Sequence, residues 1–100
     1  MSVVEYAWVE AVPAEPLGSM PIPRLLVLVE EKPGAYTLWS FSGDGEHAGD
    51  TVHVTREEAH EQAIFAHGAR LGRWTETEWT PDDARDQARS LLRGALRGHK

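Results

Sequence analysis

The sequence predicts an α+β fold: an antiparallel sheet of about four to five strands with two helices packed on one face, in the order β-β-β-β-α-(β)-α. Three observations carry that expectation. Short apolar and β-branched runs fill the first half, tight-turn signals separate them, and two marked helix starts fall late, at Thr55 and Thr80. One hundred residues make a single domain, 1–100, large enough for one core.

The first strand is read over Val3 to Val12, apolar at nearly every position except Glu5 and Glu10, with valines, Tyr6 and Trp8 that suit a strand buried over much of both faces. Pro13, Pro16, Pro21 and Pro23, with Gly18 and Ser19, then break both sheet pairing and helix, so residues 13–23 form a proline-rich loop. Leu25 to Glu31 is an unbroken aliphatic run of the kind found in a central strand. Lys32-Pro33-Gly34 supplies a type II turn, with Gly where φ must be positive. Tyr36 to Ser42 answers as the hairpin partner, Thr37, Trp39 and Phe41 on one face and Tyr36, Leu38, Ser40 and Ser42 on the other.

After Gly43-Asp44-Gly45 a short fourth strand, Thr51 to Val54, runs into a capping box formed by Thr55 and Glu58. The helix it starts spans Arg56 to Ala66 and ends near Gly68, a glycine suited to a left-handed cap. Ala59, Ala63 and Ala66 form a narrow stripe of small residues that lets the helix lie close to a sheet. Ile64 and Phe65 fall outside that stripe and require a second neighbour, either the last helix or another chain. Arg73 to Trp79 reads as an edge strand or an extended connector. Thr80-Pro81-Asp82-Asp83 combines a cap, a preset φ and two acids at the dipole's positive end. The last helix carries Ala84, Ala88, Leu91, Leu92, Ala95 and Leu96 on one stripe and ends near Gly98.

Composition narrows the chemistry. The absence of cysteine removes disulfides, thiolate catalysis and sulfur-ligated zinc. Neither a signal peptide nor a membrane span is read at the N-terminus, where acids interrupt the apolar residues, so the expected location is the cytoplasm. Residues 1–80 hold thirteen acids against five bases, whereas residues 81–100 hold three acids against five bases. An acidic body with a short basic end makes broad nucleic-acid or anionic-membrane binding unfavourable while allowing a local acidic contact.

Four constellations carry candidate chemistry. His53, Glu57 and His60 offer a His and carboxylate metal set, but only one Glu-x-x-His element is present, and His60 and His67 stand two turns apart, roughly 10 Å along the axis. Asp44, Glu46 and Asp50 could attract calcium, yet they lack the ligand order of an EF-hand loop. Asp50, His53 and Ser40 or Ser42 are the residue types of a hydrolytic triad without a nucleophile elbow. Arg85, Arg89, Arg93 and Arg97 step by four along the last helix as a cationic ribbon suited to an acidic partner or to phosphates. Trp8 and Trp39 are read as core; Trp74 and Trp79 flank an acidic connector and suit either core or an interface.

Asp50-Thr51-Val52-His53, followed by Thr55, Glu57-Glu58-Ala59 and Gln62-Ala63, resembles a pattern in small uncharacterised bacterial proteins, and that resemblance implies a small α+β domain without implying an activity. A fainter resemblance, through Leu26 to Glu30 and Tyr36 to Trp39, is to MbtH-like accessory proteins of peptide-synthetase adenylation domains, whose Trp-Pro and Arg-Pro segments are absent here. The expected function is a non-enzymatic protein–protein interaction or accessory module without a cofactor. Ile64, Phe65, Arg85, Arg89, Arg93 and Arg97 would present its surface to a protein partner or a homodimer mate. The alternatives are a nucleic-acid-binding, antitoxin-like regulator using the arginine ribbon, and a metal-binding protein using His53, Glu57 and His60.

Overall fold

The computed structural model describes residues 3–10, 23–43 and 45–97, with side chains as far as residue 94. The proline-rich loop short of Pro23, Asp44 and the side chain of Arg97 lie outside the described residues. The elements are β1 (Val4–Trp8), β2 (Pro23–Lys32), β3 (Ala35–Ser42), β4 (His47–His53), α1 (Arg56–His67), β5 (Thr75–Glu76) and α2 (Ala84–Arg97), with a 3₁₀ turn at Gly68–Arg70 after α1.

The strands form one antiparallel sheet in the order β4-β3-β2-β1-β5, so the class and the sheet match the sequence's expectation. The helices do not share a face. Along β2, Leu26 and Leu28 pack with Leu38 and Val9 under Ala59 and Ala63 of α1, while Leu25, Val27 and Val29 pack with Val4, Trp39 and Phe41 under Ala84, Ala88 and Leu92 of α2. The reason lies in the aliphatic run itself. Successive strand residues point to opposite faces, so five consecutive large apolar residues require cover on both. Leu25 to Val29 are all fully buried as a result.

The hairpin turn matches its sequence signal: Gly34 takes φ +83, the value a type II turn needs at that position. Several boundaries differ from the sequence reading: β1 ends at Trp8, and β2 begins at Pro23, which the reading placed in the loop. β4 begins at His47, because the Gly45 N–H bonds back to the Ser42 carbonyl at 3.0 Å and returns the chain at once against β3, and a register shift between Ser40 and Phe41 absorbs the mismatch. β5 is only two residues long. Gly68 has φ +56 but ψ −129, outside the left-handed helical region, so the chain leaves α1 through the 3₁₀ turn. Ala66 is exposed, leaving Ala59 and Ala63 as the buried part of the alanine stripe.

The capping box before α1 forms as read, whereas α2 begins at Ala84, after turn residues 81–83, so its start lies later than the sequence reading placed it. The Thr55 hydroxyl accepts from the Glu58 backbone N–H at 3.0 Å, and the Glu58 carboxylate accepts from the Val54 N–H at 3.3 Å. Before α2, the Asp83 carboxylate accepts from the Thr80 N–H at 2.8 Å while the Thr80 hydroxyl accepts from the Asp83 N–H at 3.3 Å. Each reciprocal pair satisfies backbone donors that a helix start leaves open.

Candidate functional site

Three surfaces hold the candidate residues; Val52 and Val54, 70% and 64% exposed, lie apart from them at the end of β4. The first is an ion cluster under α1. Glu5 shares the α1 face of β1 with Ala7 and Val9, and its side chain is only 1% exposed. Arg56 and His60, one turn apart on α1, both reach it. Arg56 Nη2 and Nε donate to Glu5 Oε1 and Oε2 at 2.7 and 3.1 Å, and His60 Nε2 donates to Glu5 Oε2 at 2.5 Å. Burial pushes the Glu5 carboxyl up, but the hydrogen bonds and charges of Arg56 and His60 together outweigh it and hold the group below the ordinary carboxylate range. The same contacts raise the Arg56 pKa, the hydrogen bond to Glu5 being the largest contribution.

Arg56 has a second task. Glu5 and Glu76 face each other across β1 and β5, where like charges repel. Arg56 Nη2 bridges them, donating also to Glu76 Oε2 at 2.8 Å. Trp74 stacks on His60 with ring centres 4.7 Å apart and planes 22° apart. Trp79 stacks on Tyr6 at 5.5 Å on the opposite face. Both connector tryptophans are therefore packed within the domain.

The second surface is the outward side of α1. Because Ala59 and Ala63 face the sheet, Ile64 and Phe65 point away, 58% and 87% exposed. Glu57, Glu58 and Glu61 are exposed on the same half of the helix. The described structure thus leaves Ile64 and Phe65 without the second neighbour their sequence pattern requires; α2 is on the other side of the sheet.

The third surface is the arginine ribbon, which is drawn against the domain in part. The Arg85 guanidinium lies 4.5 Å from the Trp39 ring centre, and Arg89 Nε donates to the Gly45 carbonyl at 3.3 Å. Arg89, Leu92 and Arg93 line a cleft of about 480 Å³ whose other wall is Gly43, Gly45, Glu46 and His47. His47 sits edge-on to Phe41 with ring centres 6.3 Å apart.

The remaining sequence candidates are separated. His53 Nε2 is 2.7 Å from the Thr51 hydroxyl, whereas His60 is engaged with Glu5. Among the described residues no three His, Asp or Glu side chains are grouped to hold a metal ion, so the structure does not assemble His53, Glu57 and His60. Asp50 pairs in register with Trp39 and His53 with Tyr36, which puts Asp50 on the α2 face and His53 on the α1 face. An acid–base pair cannot form across a sheet. His67 is half-buried, and burial first, with Arg70 adding to it, lowers its imidazole pKa.

Glu5 and Arg56 were not singled out by the sequence reading. A signal was present: Glu5 is an acid at a position whose strand neighbours on both sides are apolar, and such a carboxylate needs a cation or imidazole brought to it. Among the described residues no helix is long and apolar enough to cross a membrane. Comparison with known proteins finds no matching family model, no matching curated protein and no matching solved structure.

Proposed function

We propose that this protein is a non-enzymatic, cytoplasmic interaction module that engages a protein partner through the outward side of α1. The exposure of Phe65 carries this reading: an aromatic ring 87% open to water, next to Ile64 and on the same side as the exposed Glu57, Glu58 and Glu61, is costly unless something covers it. The ion cluster supports it by fixing the helix that presents the ring. Glu5, Arg56 and His60 use their polar groups on one another, which suits a rigid platform better than acid–base turnover.

Site-specific photo-crosslinking tests the proposal. p-Benzoylphenylalanine placed at Phe65 is expected to crosslink to a protein in the native host or expression cell, and the same group at exposed Lys32, at the β2–β3 turn, is not. No crosslink at Phe65, or equal crosslinking at both positions, would overturn the reading.

A further inference from the structure

We infer that the cavity between the C-terminal half of α1 and the β3–β4 strand pair binds a small uncharged ring with an amide-like edge, a hydrogen-bond donor beside an acceptor. The inference goes beyond the reading of Phe65 and does not depend on it. The cavity has a volume of about 200 Å³. Strand register sets Leu38 beside Thr51 and Ser40 beside Gly49 on the α1 face, and Gln62, Ala66 and His67 close the space from the helix. Two small residues keep it open. At Gly49, whose φ of +142 favours glycine, an added Cβ would meet nothing within 4 Å. Ala59 and Ala63 already set the close approach of α1 to the sheet, whereas Ala66 stands exposed beside the cavity.

Two properties of the lining select the ligand. The first is unspent hydrogen-bonding capacity. The Ser40 hydroxyl, the Gln62 amide and the His67 imidazole are half-buried, and none of them bonds another described group. Thr51 adds a hydroxyl held in place by His53 Nε2 at 2.7 Å. The second property is the lack of charge among the described lining side chains. Burial, with Arg70 adding to it, holds the His67 pKa below the ordinary imidazole value, so at pH 7 the ring is neutral and offers one donor and one acceptor. Asp50 borders the cavity with its main chain, because its side chain alternates to the α2 face with Trp39. The lining thus favours neither cation nor anion, and the net charge of −6 disfavours anions further. Gln62 presents a donor and an acceptor side by side, the complement of an amide-like edge, and Leu38, Ala63 and Ala66 give a flat ring an apolar wall. The volume is below the roughly 300–1,000 Å³ that drug-sized ligands occupy, which limits the ligand to a single ring.

Heteronuclear NMR titration of the full chain at pH 7 tests this. Uracil and nicotinamide are the neutral probes, and orotate and nicotinate are their carboxylate counterparts. At least one neutral probe should shift the Gln62 side-chain amide and the Gly49 and Thr51 backbone signals saturably, with a Kd of roughly 1 mM for a ligand of this size. Its carboxylate counterpart should bind at least about tenfold more weakly. Gln62→Leu should weaken binding about tenfold through the lost hydrogen bonds. Ala66→Leu, a change at an exposed helical position, should abolish it by filling the cavity. Both variants should keep the native circular dichroism spectrum. No saturable shift from either neutral probe at about 10 mM, ten times the expected Kd, overturns the inference. So does undiminished binding in either variant, or equal binding of a probe and its carboxylate counterpart. Each of these results leaves the crosslinking test at Phe65 unaffected.

Discussion

Replacing Arg56 with Met should destabilise the domain by about 2–3 kcal/mol at neutral pH. Removing one partner of a fully buried ion pair costs about 3–5 kcal/mol, because the other charge is left without compensation. Two features of this site lower the figure. Arg56 is 36% exposed, so its own desolvation is incomplete, and His60 still donates to Glu5 Oε2 in the variant. Glu76 adds little, since an exposed pair contributes about 0–1 kcal/mol, and Met retains the apolar contacts of the arginine stem. For a domain of this size the loss corresponds to a fall in Tm of roughly 10–20 °C. Urea unfolding followed by tryptophan fluorescence measures it, provided the m value is unchanged.

The same variant carries a pH signature. Glu5 has a depressed pKa in the fold, so its contribution to stability is fully present above the ordinary Glu value of about 4.3 and is lost as pH falls through the lower folded value. A neutral Glu5 no longer needs the guanidinium. The gap between wild type and Arg56→Met should therefore narrow in acid, and in a Glu5→Gln background Arg56→Met should cost less than half as much at pH 7. Hydrogen exchange should localise the loosening to α1 and β5, since Arg56 of α1 bonds both Glu5 of β1 and Glu76 of the two-residue β5. A loss below about 0.5 kcal/mol, or one that does not shrink in acid, would refute the reasoning.

Gly34→Ala should cost roughly 1–2 kcal/mol through backbone strain alone, because φ is +83 and an added Cβ meets nothing within 4 Å; Gly34→Asn should recover part of that loss in thermal melts. Arg85→Ala should cost about 0.5–1 kcal/mol and shift the Trp39 indole resonance, which the guanidinium overlies; an unmoved resonance would contradict the stacking. The His67 imidazole should titrate in NMR below the ordinary value of about 6.5, and Arg70→Gln should raise it only partway, since burial is the larger cause. Its linked effect has a definite sign: the unfolded chain takes up the proton more readily, so stability falls as pH drops through that ordinary value.

The elements were legible where one local pattern determines them. Lys32-Pro33-Gly34 specifies its turn, Thr55 with Glu58 specifies the start of α1, and alternation across Thr37, Leu38 and Trp39 specifies two faces. The placement of the helices was not read correctly, although Leu25 to Val29 contained the answer, since a run buried at every position needs a layer on each side. β4 was read short because Ala48 and Gly49 have little strand propensity; pairing with β3 overrides it. The ion cluster was missed for a different reason. Glu5 and Arg56 lie 51 residues apart, and only the path of the sheet brings them together.

That cluster and the exposed ring are two consequences of one feature of α1. The helix buries only two alanines against the sheet, which gives it close approach but little apolar area with which to hold its position. A Leu or Ile on the inner stripe would add area but force the helix away from Leu26, Leu28 and Leu38. The grip instead comes from Glu5, whose buried charge is satisfied only when Arg56 and His60 arrive in one rotational setting. Turning the helix by one residue would swing both away from the carboxylate and leave it unpaired. The ionic contacts thus define rotation where the alanine packing does not. With rotation defined, Ile64 and Phe65 are held outward, so the buried acid that the sequence reading passed over positions the ring on which the proposed function depends.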